Sequence, residues 1–416
     1  PEYGYDDLCA NFNEEYKDKG LQVEYVRYVN DDNGNLQLET YLMGGGDVDL
    51  FIGYGGRTKM DKRVDSNLLL DMSGMLNDIG FNLDDELGVA NMAEYHYDDG
   101  AVYGFPTKYE NSRWILINED MFKEAGLDIP YDGWTYSEFL TDAEKLTHGE
   151  GQDKVYGVCW ARKQSGKSIL YALDGVLGAN QIYKNEEGTE VNFDNDVYRA
   201  GLNLVKETLD KGYAIPIEDE FSEDISVANT FLQGKCAIML GVAQMRLCMD
   251  QENYPHDFMT ALVPAPVPDD EKYNTEFYRK QIGTTGAGDL LSISANTKYP
   301  EASFEFAMWY LKGGMSPLVQ GGRIPLWNGV NKDEVLSVLK EKAQGSIDMD
   351  SMENYLSLDT TQGVAAIKGH ASSEISSAWF EEFDAMCYGK QSVDQTVQNM
   401  EKRGNELIQT ELSSQK

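Results

Sequence analysis

Two short stretches carry residue types suited to phosphate or cations, and both lack the spacing that the chemistry needs. "KQSGKS", Lys163–Ser168, ends like a phosphate-binding loop. The GxxxxGK[ST] fingerprint, however, requires glycine at position 161 so that backbone N–H groups can close around phosphate, and the residue there is Ala161. "NDDNGN", Asn30–Asn35, has the acid and amide character of a calcium loop, yet a loop begun at Asp31 ends on Leu42, where a bidentate glutamate belongs. The histidines His96, His148, His256 and His370 form no HExxH and no Cys/His cluster of zinc spacing. No GxSxG elbow appears, and among 71 carboxylates any pair can be nominated as a glycosidase acid and base, so none is singled out. The expectation is a protein without metal or cofactor, and nothing supports an enzyme.

A third stretch points elsewhere. "FLQGKCAIMLGVAQM", Phe231–Met245, reads as a helix end, a turn, an apolar strand, and then Gly241 opening a helix with Gln244 close behind. Helix N-termini carry unpaired N–H groups, and in open α/β sheets ligands sit outside the carboxyl ends of strands. The elements around this stretch must therefore build such a sheet. Tyr5–Asp18 is helical in period, "LQVEYVRYV" alternates like a strand, Leu36–Met43 is helical and "DVDLFIG" is a buried strand. This βαβ rhythm predicts a mostly parallel sheet covered by helices. Thr135 and Glu138 have capping-box spacing, as do Ser392 and Gln395, each before an apolar periodic run. "NEEGTEVNF" reads as a hairpin, Asp194–Lys211 as a long amphipathic helix, and Pro300 falls in the first turn of another.

Composition narrows the function classes. With 71 acidic against 35 basic residues, the net charge of −36 opposes binding to phosphate backbones and anionic membranes, so nucleic acid is excluded as an expected partner. The five cysteines are widely spaced, without a CxxC pair, and read mostly as buried thiols. No apolar run approaches the roughly 18–20 residues needed to span a bilayer. A start at Pro1 running directly into a helical pattern leads us to expect that an export signal, and a first strand, precede it.

Several segments, in order, resemble the extracellular solute-binding proteins of carbohydrate ABC transporters, the family of maltose-binding protein. "YDDLCANFNEEY…LQVEYV" is similar to the family's opening helix and strand, and "GGGDVDLFIGYGG" to its turn, strand and ligand loop. "DGAVYGFPTKYENSRWILINEDMFKEAGLDIPYDGWTYSEFLTDAEKLT" resembles its hinge segment, strand and Trp-Thr helix start. "FLQGKCAIMLGVAQM", "SISANTKYPEASFEFAMWYL" and "YGKQSVDQTVQNMEKRGN" complete the order. The resemblance implies an α/β, two-lobed periplasmic-binding-protein type II fold with a ligand cleft between lobes and crossover hinges. The lobes expected are 1–107 plus 264–316 and 108–263 plus 317–416, with hinges near Phe105–Glu110, Val263–Pro268 and Gly313–Pro325.

The implied function is to bind a sugar or oligosaccharide outside the cell and deliver it to the permease subunits of an ABC importer. The chain is then a monomer on the extracellular face of the membrane, lipid-anchored, or periplasmic. A glycan-active hydrolase and a non-transport glycan sensor are the alternatives. Sugar recognition uses aromatic faces for the C–H side of the ring and amides, carboxylates and guanidinium groups for hydroxyls. Candidates at strand ends and hinges are Tyr54, Arg57, Tyr109, Glu110, Trp160, Gln244, Asp289, Arg323 and Trp379. Where the family often stacks a tryptophan, the matching position here is Gln244.

Overall fold

The computed structural model describes residues 4–28, 36–45, 47–54, 56–88, 97, 99–110, 113–162, 182–222, 227–241, 244–280, 289–358 and 369–414; at 54, 56–58, 221, 222 and 227–229 the description covers the backbone alone. Lys163–Ser168 and Asn30–Asn35 lie outside the described residues. The chain divides into two compact units, Pro1–Glu110 with Thr285–Leu339 and Asn111–Thr284 with Lys340–Lys416. The described strands are β1 (Leu50–Tyr54), β2 (Phe105–Pro106), β3 (Lys108–Tyr109), β4 (Trp114–Asn118), β5 (Tyr156–Cys159), β6 (Cys236–Leu240), β7 (Thr260–Pro264), β8 (Asp289–Ile293) and β9 (Ile324–Pro325).

In the first unit β8 lies between β1 and β2, antiparallel to both, and β3 pairs antiparallel with β9. The helix Tyr5–Glu15 buries Leu8 and Phe12, four residues apart on one face. The Phe12 ring meets Phe306 at 5.0 Å and Trp309 at 5.2 Å, tying this helix to Pro300–Trp309. The predicted strand at "LQVEYVRYV" runs through residues 21–28 without a ladder partner among the described residues. Val23 instead satisfies its backbone on one amide, accepting from Asn13 at 2.9 Å and donating to it at 2.7 Å.

In the second unit the order is β5-β6-β4-β7, and every residue of β4, β6 and β7 is buried. Strands covered on both faces read as continuous apolar runs, as "WILIN", "CAIML" and "TALVP" do. The covering helix Tyr136–Leu146 starts on the predicted capping box: Thr135 N–H donates to Glu138 at 2.7 Å, and Glu138 N–H to the Thr135 hydroxyl at 3.4 Å. It packs so close to β5 that a Cβ on Gly157 would lie 2.3 Å from the Ala143 carbonyl oxygen. The second capping box, at Ser392 and Gln395, is also formed, and so is the hairpin, bridged at Tyr183 and Val191.

The expectation of a mostly parallel sheet is corrected. Only β5–β6 is parallel among the described strand pairs; β1–β8, β2–β8, β3–β9, β4–β6 and β4–β7 are antiparallel. A local βαβ rhythm fixes direction only for strands joined by one crossover. Here β8 enters from far along the chain and can run either way.

The units part after Glu110, after Thr284 and after Leu339, later than the expected 107, 263 and 316. Pairing of β3 with β9 keeps Lys108–Tyr109 in the first unit. Val263 and Pro264 belong to β7, paired along its length with β4, so they sit inside the second unit's sheet. The segment Gly313–Pro325 stays in the first unit, and the third division falls within the helix Lys332–Ala343.

Candidate ligand-binding site

Strand register in the first unit gathers four charged side chains. Lys108 pairs with Pro325 and Tyr109 with Ile324, so Glu110 and Arg323 flank the same end of the ribbon. Pro106 pairs with Leu290, which brings Thr107 beside Asp289; the Thr107 hydroxyl donates to the Asp289 carbonyl at 3.3 Å. Lys108 Nζ lies 2.6 Å from Glu110 Oε2 and 3.4 Å from Asp289 Oδ2, and Arg323 Nη1 lies 2.8 Å from the same Asp289 oxygen. Asp289 therefore bridges the two cations. Its side chain is 7% exposed, a burial that a carboxylate tolerates only when paired. Burial alone pulls the Lys108 ammonium pKa down, but Glu110 and Asp289 outweigh it and the net shift is upward.

Aromatic rings adjoin this cluster. The Arg323 guanidinium sits 5.9 Å over the Tyr5 ring, and Tyr5 stacks on Tyr25 with centroids 4.8 Å apart. Tyr25 keeps 40% of its surface exposed. Tyr109 points to the other side of β3 and is buried, which drives its phenol pKa well above the usual tyrosine range. Tyr54 faces Asp289 in the β1–β8 ladder. The side chains of Tyr54 and Arg57 lie outside the described residues.

The second unit treats its candidates differently. Trp160 is 2% exposed, donates its indole N–H to the Thr208 hydroxyl at 2.9 Å and packs on Phe139. Trp379 is equally buried, stacked on Phe383 at 4.8 Å. Both are members of the main hydrophobic core and offer no open ring face. The apolar strand before Trp160 and the helical spacing of Trp379 and Phe383 explain this, since those patterns put large rings inside. Beside them a polar pair is more accessible: Arg162 holds Asp384 through two bonds of 2.8 and 2.9 Å, with its guanidinium 4.2 Å over Phe380. Gln244 is half-buried at the N-cap of the one-turn helix Met245–Cys248 and makes no side-chain capping bond. Gly241 before it has φ +113°, a conformation reserved for glycine.

The model of the family described as bacterial extracellular solute-binding protein matches residues 2–312. The chain belongs to this family. Solute-binding proteins of solved structure share its fold across nearly the whole length. One is a sugar transporter protein of Rhizobium etli in an open conformation, with TM-score 0.71, 17% identity, and 96% of this chain and 95% of that chain covered. Another is an ABC substrate-binding protein of Listeria monocytogenes in complex with cycloalternan, at 0.74, 16%, 98% and 96%. A third is UgpB of Mycobacterium tuberculosis in complex with glycerophosphocholine, at 0.70, 16%, 99% and 95%. No helix among the described residues of this solute-binding protein is long and apolar enough to cross a membrane.

Lys108, Tyr5 and Tyr25 were not among the candidates read from sequence. Alternation along "TKYE" was the available signal for Lys108, since positions 108 and 110 share one strand face and Tyr109 takes the other. Tyr5 and Tyr25 carried no comparable signal, because their stacking joins a helix start to a segment without a ladder.

Proposed function

We propose that this solute-binding protein takes a sugar or oligosaccharide at the Lys108–Glu110–Asp289–Arg323 end of its first unit and delivers it to the permease subunits of an ABC importer. The observation that carries the reading is that cluster itself. Fixed ionic pairs present directed donors and acceptors for hydroxyl groups, and the adjoining Tyr25 ring supplies an exposed apolar face. Family membership supports solute binding outside the cell, and sugar-bearing neighbours of the same fold support the ligand class. Gln244 and, through its backbone position, Tyr54 remain proposed contacts. Trp160 and Trp379 are left out of the contact set because their rings are enclosed.

The protein works in this reading as a binder without turnover, as a monomer held at the outer face of the membrane. A thermal-shift screen over a glycan panel tests it, since a ligand at 100 times its dissociation constant adds roughly 2.7 kcal/mol of stability. Saturable stabilisation with the glycan recovered intact supports transport binding. New reducing ends point to a hydrolase.

A further inference from the structure

The first unit also buries a charge outside the ionic cluster. Arg63, on the helix Gly56–Asp65, is 3% exposed. Its Nε and Nη2 donate to one oxygen of Glu39, at 3.0 and 2.7 Å, and Glu39 stands on the helix Leu36–Met43. The guanidinium lies 5.5 Å from the centre of the Phe51 ring, and its Nη1 fills the place of a side chain at Gly53, where a Cβ would lie 2.7 Å from it. Phe51 and Gly53 share one face of β1, so the carboxyl half of that strand rests on a guanidinium. We propose that Arg63 is a positioning residue for ligand binding, which touches no ligand itself and fixes the strand end that places Asp289 in the cluster. The inference rests on the Lys108–Glu110–Asp289–Arg323 cluster being the ligand site, and it adds to that reading a residue that acts on the cluster from outside it.

The path from Arg63 to the cluster is short. Gly53 pairs with Leu290 and Tyr54 with Asp289, so a shift at the end of β1 moves the residue whose carboxylate holds both Lys108 and Arg323. Energetics point the same way. A buried ion pair gains little stability over apolar side chains of equal volume, because desolvation offsets the attraction. A flexible apolar side chain at 63 would cover Phe51 as well. What the guanidinium adds is a rigid plane, oriented by its two bonds to Glu39, that holds the strand at one height. Glycine at 53 completes the fit, since without a Cβ the backbone can lie directly against Nη1. The Glu39–Arg63 pair thus serves position more than stability.

The test separates position from stability. Arg63→Lys keeps the charge and loses the plane, Glu39→Gln keeps the partner's shape and loses its charge, and Leu38→Ala, beside Glu39 in sequence and buried in the core, is the control. Hydrogen exchange is followed on the full chain at Leu50–Tyr54 and Asp289–Ile293, and calorimetry uses whichever of glucose, maltotriose and raffinose raises the melting temperature of the parent most. We expect both charge variants, while folded, to exchange faster at the two strand ends and to bind about tenfold more weakly, the scale of one charge-assisted bond. Leu38→Ala should melt earlier and bind as the parent does. Gly53→Ala should also weaken binding, and should weaken it less in the Arg63→Lys background, where the Nη1 that the new methyl meets is gone. Folded Arg63→Lys and Glu39→Gln with the parent's affinity overturn the inference whatever their stability, and so does strand-end exchange that stays at the parent's rate. Should neither charge variant fold, Gly53→Ala decides by the same two readouts. If none of the three sugars binds the parent, the sugar reading fails on its own, and exchange at Asp289–Ile293 still decides whether Arg63 holds the strand end.

Discussion

The two units solve the same local problem, a strand end carrying large or charged side chains, in opposite ways. In the first unit the end of β3 and the start of β8 present Lys108, Glu110 and Asp289, which close with Arg323 into an ionic cluster that still reaches the surface. In the second unit the end of β5 presents Trp160, which turns into the core and seals its N–H on Thr208. The difference follows from the cost of burial. An indole gains free energy by leaving water and needs one partner for its N–H, whereas a buried charge must be paired. Charged residues at strand ends therefore find one another and stay near the surface, while aromatic residues after apolar runs disappear inside.

The sharpest way to break this contrast is to truncate the enclosed ring. Trp160→Ala should lower unfolding free energy by about 3–5 kcal/mol in urea titration, with glycan affinity of the folded fraction unchanged. A variant that stays stable but loses affinity would move Trp160 into the site. Next comes Arg162→Ala, which removes two charge-assisted bonds to Asp384 from a side chain that is 15% exposed. The expected loss is about 1.5–3 kcal/mol, read from the same titration. A smaller effect belongs to Gln244→Ala: loss of one hydroxyl bond, about 0.5–1.5 kcal/mol, weakens affinity roughly two- to twelvefold by calorimetry. Binding equal to the parent would remove Gln244 from the proposed contacts.

A half-buried carboxylate in the second unit, Asp142, supplies a control of the opposite sign. Burial pushes the Asp142 carboxyl up to about 6, with Lys145 opposing and Glu138 and Asp128 adding to the rise. The folded state thus holds this proton more tightly than the unfolded chain, and stability falls as pH rises from about 4 to 6 through the shifted value. Asp142→Asn should flatten that slope in pH-dependent melting. An unchanged slope would assign it to other groups.

Local devices were legible in the sequence and long-range ones were not. The capping boxes at Thr135 and Ser392 formed because both partners lie within one turn. Strand direction in the first unit was not legible, because β8 inserts between β1 and β2 from a distant segment and no local pattern encodes that. The place of Val263–Pro268 inside the second unit was hidden for a related reason: Pro264 sits at the end of β7 opposite Trp114 and accepts a bond from Trp134, pairings that no local pattern encodes. At the site, Glu110, Asp289 and Arg323 were individually visible as charged residues at strand ends and hinges. Their convergence on Lys108 depends on two separate strand pairings and was visible only in the fold.

The central claim is that the charged strand end, and not the enclosed tryptophans, contacts the ligand. Titration calorimetry of the parent and Glu110→Gln against the glycan giving the largest thermal shift tests it most directly. Glu110 is the most exposed member of the cluster, 25% accessible, and glutamine keeps its shape. We predict one saturable site in the parent and an affinity roughly 10- to 150-fold weaker in the variant, the loss of a bond to a charged group, with urea unfolding little changed. Equal affinity in both proteins would contradict the account.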